Sequence, residues 1–175
     1  PGVLVSAGSG SVSVSQDHGQ SWEVIKMRSL NIRTHHMKAA YGDYDGGRIV
    51  VAGDGPMVIV SKDMGKNWTV GDISGGYTEN KGRLFVAGNI AYGNDVFLIN
   101  SGDKGTVTRS TDGGETWSDK IDPGAGRIGY RALSFVRGEF WLPGRTPRAS
   151  KDGLTWRDLP DSVPSGPIGE SDRGT

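Results

Sequence analysis

Apolar residues in this chain come in short runs, not in long amphipathic stretches. The clearest are Val3-Leu-Val5, Ile49-Val-Val51, Val58-Ile-Val60, Val96-Phe-Leu-Ile99 and Phe140-Trp-Leu142. Gly, Asp, Asn or Ser stands close to each of them, and no helical period links one to the next. Short apolar runs bounded by turn residues read as strands. Their polar/apolar alternation is imperfect, which fits strands covered on both faces.

The strands fall into repeating sets. In the clearest set, Ile90–Asn94 reads as an inner strand with its turn, Val96–Asn100 as the second strand and Thr106–Ser110 as the third. A second set places Ala39–Gly42, Arg48–Ala52 and Met57–Ser61 in the same order. A looser set runs through Leu133–Val136, Glu139–Leu142 and Arg148–Ser150. The first set begins at its second strand, Gly2–Ser6, with no inner strand before it.

One motif closes every third strand. It reads SQDHGQSW from Ser15 to Trp22, SKDMGKNW from Ser61 to Trp68, STDGGETW from Ser110 to Trp117, and SKDGLTW from Ser150 to Trp156. Successive tryptophans are 46, 49 and 39 residues apart. A repeat of that length suits one four-stranded propeller blade. The chemistry of the motif is that of a tight turn. The Asp side chain accepts hydrogen bonds from backbone N–H groups, and the Gly takes a positive φ without steric cost. The Trp opens the fourth strand and packs its ring between neighbouring sheets.

The motif resembles the Asp-box, or BNR repeat, of sialidases and related propellers, over residues 5 to 157. The resemblance implies an all-β propeller of four-stranded antiparallel blades, about four of them in residues 1–157. It makes the box residues structural, on the face away from the active site. These are Ser15, Asp17, Gly19 and Trp22; Ser61, Asp63, Gly65 and Trp68; Ser110, Asp112, Gly114 and Trp117; and Ser150, Asp152 and Trp156. It also implies an extracellular or periplasmic location. Residues 158–175 are rich in Pro, Gly and Ser and read as a tail or a link to further blades. The expectation is an incomplete ring, finished by a second chain or by a longer polypeptide of which this is a processed or partial piece.

Composition narrows the function. Lysine plus arginine and aspartate plus glutamate balance at 20 each, against the basic excess of a nucleic-acid binder. There are 29 glycines and no cysteine, so a disulfide or a thiolate metal site is excluded. No apolar run is long enough for a membrane helix, and no signal peptide is read at the start. No phosphate-loop pattern points to a nucleotide, and no cofactor is expected.

Propeller geometry puts loops 27–38, 71–83 and 118–131, and loops 53–57, 101–105 and 143–148, on the face opposite the boxes. Their lysines and arginines outnumber their acids by about five on a neutral chain. An anionic ligand follows, a carboxylated glycan or an acidic protein patch; a merely solvated face is the alternative. Candidate contacts are Arg33, His35, His36, Lys38, Arg83, Arg127, Tyr130, Arg131 and Arg145. His35 and His36 are adjacent and point to opposite faces on a strand, so they do not chelate one metal together. Gly42–Gly47, with Asp43 and Asp45, reads as a hairpin turn in preference to a calcium loop. Asn67-Trp-Thr69 fits a glycosylation pattern but overlaps the second box.

Whether the chain is an enzyme stays open at this level. Sialidases use three arginines, a Tyr–Glu pair and an Asp. Their arginine-isoleucine-proline signature is absent, and only Arg127-Ile-Gly-Tyr130-Arg131 is suggestive. A paired-carboxylate glycosidase would draw on Asp54, Asp72, Glu79, Asp103 and Asp122. Two functions are therefore expected: binding or hydrolysis of a glycan by a secreted sialidase-like propeller, or a non-catalytic scaffold for protein assembly.

Overall fold

The computed structural model describes residues 2–8, 10–30, 37–53, 58–71, 87–101, 105–126, 128 and 133–160. They form four antiparallel sheets. Strands β1 (Leu4–Gly8), β2 (Ser11–Ser15) and β3 (Glu23–Lys26) make the first. The second holds β4 (Lys38–Gly42), β5 (Arg48–Ala52), β6 (Val58–Ser61) and β7 (Thr69–Gly71). The third holds β8 (Ala87–Gly93), β9 (Val96–Ser101) and β10 (Val107–Ser110). The fourth holds β11 (Ser134–Val136), β12 (Glu139–Leu142), β13 (Arg148–Ser150) and β14 (Arg157–Asp158). Neighbours in each sheet are neighbours in sequence, the up-and-down order of a propeller blade. Among the described residues the first and fourth sheets are not joined to each other, and the ring is open.

Register makes the sheets directly comparable. The box serine that ends each third strand pairs with Leu4, Ile49, Phe97 or Phe140 in sheets one to four. Ile49, Phe97 and Phe140 are fully buried, and each lies in the cluster shared with the sheet before it. Phe97, for example, packs with Val50, Val58 and Val60 of the second sheet. Burying a side chain of this size stabilises by about 2–3 kcal/mol. The residue after it turns the other way: Val50 meets the third sheet and Leu98 meets the fourth.

The boxes complete the same interfaces. Trp68 packs with Val12 and Val14 of the first sheet, Trp117 with the second-sheet valines, and Trp156 with Leu98 of the third. Each box thus seats its turn and its indole on the preceding blade. Trp117 is 7% exposed, whereas Trp22, with no described sheet before it, is 45% exposed.

The third blade departs from expectation after its box. Trp117 does not open a regular fourth strand; residues 117–120 are irregular, and a single bridge joins Val107 to Ile121. Backbone bonds persist only at Ser118 N–H to the Arg109 carbonyl and between Val107 and Ile121, and side chains of serine and threonine add to them. Ser118 Oγ accepts the Arg109 N–H at 3.1 Å, and Thr108 Oγ1 donates to the Ser118 carbonyl at 2.6 Å. Such local side-chain bonds compete with sheet pairing.

Candidate functional site

The two ends of the sheets differ in chemistry. At one end lie the box turns and the turns between the first two strands of each blade. The third box is the best enclosed. Ser110 Oγ donates to Asp112 Oδ1 at 2.7 Å and accepts the Gly114 N–H at 2.8 Å. Thr116 gives its N–H to Asp112 Oδ1 at 2.9 Å and its hydroxyl to Oδ2 at 2.5 Å. The Trp117 indole N–H donates to the Gly114 carbonyl at 2.9 Å. Gly114 has φ +94°, and a β-carbon there would stand 2.8 Å from Val50 of the preceding blade. The other boxes repeat the pattern, with Ser21, Asn67 and Thr155 in the place of Thr116.

These bonds hold the box carboxylates charged. Asp17 is lowered to about 2, first by the Ser21 hydroxyl and then by the Ser21 N–H. Asp63 is lowered mainly by Asn67, and Asp152 mainly by the Thr155 N–H. Burial is the largest single influence on Asp112 and pushes it up, but the bonds from Thr116 and Ser110 together outweigh it. Asn67 Nδ2 donates to Asp63 Oδ2 at 2.7 Å, so the amide nitrogen that a glycan would need is already engaged.

The first-to-second-strand turns share this end and are also tied down. Asp45 of the Gly42–Gly47 turn pairs with Arg48 Nη2 at 2.7 Å. Arg48 is buried, donates to the carbonyls of Asp45 and Gly47, and lies 5.7 Å over the Tyr44 ring. The carboxylate of that motif therefore serves a turn-closing arginine. Asn94 donates to the Gly138 and Lys151 carbonyls, linking the third blade to the fourth box. This end is built to bind itself.

The other end carries the loops singled out by charge. Lys38 starts β4 opposite Ala52, and its side chain is exposed. Arg28, in the short 3-10 turn Met27–Leu30, is exposed, as is Arg145 between β12 and β13. The turn bearing Arg145 lies against the 122–126 segment: the Thr146 N–H reaches the Ala125 carbonyl at 3.3 Å, and Arg148 donates to the Gly124 carbonyl. Two carboxylates here are engaged, Asp122 with the Gly124 N–H at 2.8 Å and Asp158 with Arg148. Arg33, His35, His36, Arg83, Arg127, Tyr130 and Arg131 lie outside the described residues, as do Asp54, Asp72, Glu79 and Asp103.

One residue escaped the sequence reading. Asn100, near the loop end of β9, is 0% exposed, and both its Oδ1 and Nδ2 lack a hydrogen-bond partner. A buried, unpaired amide is costly. The register shows how it stands out. Three residues beyond the partner of the box serine, the other blades carry Ala7, Ala52 and Pro143. Aligning the four repeats on their boxes singles out Asn100 as the polar exception. Asn89, opposite it in β8, donates to the Leu133 carbonyl at 2.9 Å.

Fold and boxes together define the class: a β-propeller built on Asp-boxes, similar to the sialidase-like superfamily. Residues 108–119, which span the third box, match the BNR/Asp-box repeat family. No curated protein sequence matches the chain. Among solved structures it is similar to YCF48 bound to D1 peptide, with TM-score 0.56 and 18% identity over 89% of this chain and 50% of that one. YCF48 from Cyanidioschyzon merolae gives 0.53 and 15% over 91% and 56%. A leech intramolecular trans-sialidase complexed with 2,7-anhydro-Neu5Ac gives 0.52 and 18% over 85% and 28%. The chain spans about half the length of the YCF48 structures and less of the trans-sialidase. No helix among the described residues is long and apolar enough to cross a membrane.

Proposed function

We propose that this propeller is a binding module whose loop end takes an acidic segment of a partner protein. The observation that carries the reading is the division of labour between its two ends. Box carboxylates and box hydroxyls satisfy one another and Arg48 pairs with Asp45 at one end, while Arg28, Lys38 and Arg145 stand exposed at the opposite end. Exposed cations on a rigid frame steer and hold an anionic partner. A propeller of similar fold, YCF48, has been solved with a bound peptide. Arg33, His35, His36, Arg83, Arg127, Tyr130 and Arg131 belong to the same loops and complete the proposed surface.

A second reading is a secreted glycan-binding or glycan-cleaving protein, favoured by the likeness to a trans-sialidase complexed with a sialic acid derivative. A carboxylated sugar would use the same cations. Hydrolysis would also require carboxylates at the loop end, where Asp122 and Asp158 already serve a backbone N–H and Arg148.

Fluorescence anisotropy with an Asp/Glu-rich peptide, a neutral scrambled peptide and a sialylated trisaccharide separates the readings. We expect the acidic peptide to bind more tightly than the neutral one, and more weakly as salt rises. Lys38→Glu and Arg145→Glu should each weaken it by about fivefold at low salt. Saccharide binding or cleavage without peptide binding would establish the second reading. Peptide affinity indifferent to salt and to both reversals would remove the first.

A further inference from the structure

We infer that Asn100 is a specificity residue of the loop end: its buried carboxamide serves the main chain of the bound peptide, which reaches it where β8 bulges at Gly88. The assignment rests on the acidic-peptide reading proposed above and adds a recognition that charge alone does not supply.

Two departures from the repeat meet at one place. The first two strands of the second and fourth blades pair without interruption. In the third blade the register skips between Ala87 and Asn89, which leaves Gly88 as the extra residue of a bulge. Bulges are over-represented beside functional sites, where they end pairing or re-aim a side chain. Asn100, the polar exception among the four blades, pairs with Asn89 directly after the skip. The two features touch: a β-carbon at Gly88 would overlap Asn100 Nδ2, so glycine is what lets β8 close over the amide. Phe97 and Ile99 pack toward the second sheet and Leu98 toward the fourth. Strand alternation puts Asn100 on the face of Leu98. That is the junction where Asn89 bonds the Leu133 carbonyl. Ala125, which accepts the Thr146 N–H beside Arg145, is buried in the same cluster. The orphan amide and an exposed cation thus belong to one blade junction.

The amide also states what it takes. Among the described residues Oδ1 and Nδ2 both lack a partner, so the ligand group must donate as well as accept. A carboxylate side chain only accepts and would leave Oδ1 bare. An extended peptide presents the N–H and the C=O of one residue on the same side, a pair that matches the carboxamide. An unpaired amide burdens the free protein, and that burden is relieved when the pair docks. Opening is easiest at the bulge, because Gly88 has no partner in the ladder. Arg145 then takes an acidic side chain and Asn100 the backbone.

Anisotropy titrations with the Asp/Glu-rich peptide test this, using Asn100→Ala and a series of peptides in which each amide in turn is replaced by an ester. Asn100→Ala should weaken the peptide by about tenfold. The lost partner is neutral, so that factor should hold at low and high salt, whereas the effect of Lys38→Glu should fade as salt rises. One ester position should weaken the wild type by about tenfold and leave Asn100→Ala unaffected, since both changes remove the same bonds. Peptide binding that is equal in wild type and Asn100→Ala would overturn this assignment and leave the acidic-peptide reading standing. So would ester effects that are the same in the two proteins. Binding of the sialylated trisaccharide that is lost in Asn100→Ala, without peptide binding, would give the amide to a sugar and overturn it as well. Failure of the wild type to bind the peptide at all would remove the underlying reading and the assignment together.

Discussion

At the scale of single residues, the box is a carboxylate held charged by donors of its own loop. Asp112→Ala removes the acceptor of the Thr116 N–H, the Thr116 hydroxyl and the Ser110 hydroxyl. It should cost about 2 kcal/mol in thermal or urea unfolding. The corresponding change at Asp17, on the open side of the first blade, should cost less. The four boxes also set an acid limit. Their aspartates have depressed pKa values in the folded state, so their contribution is complete above the unfolded value near 4. It is lost as pH falls through the folded values, about 2 for Asp17. Tryptophan-detected melting should therefore show a stability that is flat from pH 7 to about 5 and falls between about pH 4 and 2. In Asp112→Asn that fall should be shallower. A melting temperature unchanged down to pH 2 would contradict this account of the boxes.

At the scale of strands and sheets, the indoles grade with what covers them. Trp117→Ala empties a space between two blades and should destabilise by about 3–5 kcal/mol. Trp22→Ala removes a half-exposed ring and should change the unfolding of the monomer far less. Asn100→Ala should stabilise by about 1 kcal/mol, since it exchanges two unsatisfied polar atoms for the side chain found at Ala7 and Ala52. Denaturant midpoints compare all three directly. A loss of stability on Asn100→Ala would mean that its amide has a partner the described residues do not reveal. How far sequence could see is plain here. Arg48–Ala52 was legible to the residue, because an apolar run flanked by turns has few alternatives. The strand expected after Trp117 was not, because the Ser118 hydroxyl takes the Arg109 N–H and the Thr108 hydroxyl bonds the Ser118 carbonyl, leaving a pairing too irregular for a strand. Asn100 looks ordinary in the run Val96–Asn100, and only register makes it an exception.

At the scale of the whole molecule, the proposed binding end is separated from the self-bonded box end by the length of a strand. Pattern and spacing reveal construction readily, because each box repeats the same short-range bonds. The candidate site was legible only as charge. Lys38 and Arg145 are exposed at the loop end, but no local motif distinguishes a binding arginine from a solvated one. Charge reversal at the loop end should thus alter ligand affinity and leave melting temperature within about 1 °C, since such surface changes fall within a few tenths of a kcal/mol. Changes in the boxes should do the reverse. A circular dichroism melt beside each binding curve checks both.

The seating of every box on the blade before it has a direction. A ribosome delivers each earlier blade before the later one. When Trp68 emerges, Val12 and Val14 have already been made; when Trp117 emerges, so have Val50 and Val60; when Trp156 emerges, so has Leu98. These three indoles are each made after the surface that will cover them, so their rings need not wait unshielded for later sequence. Growth at one end, with every new unit docking on a finished one, suits the protein to being folded while it is still being translated.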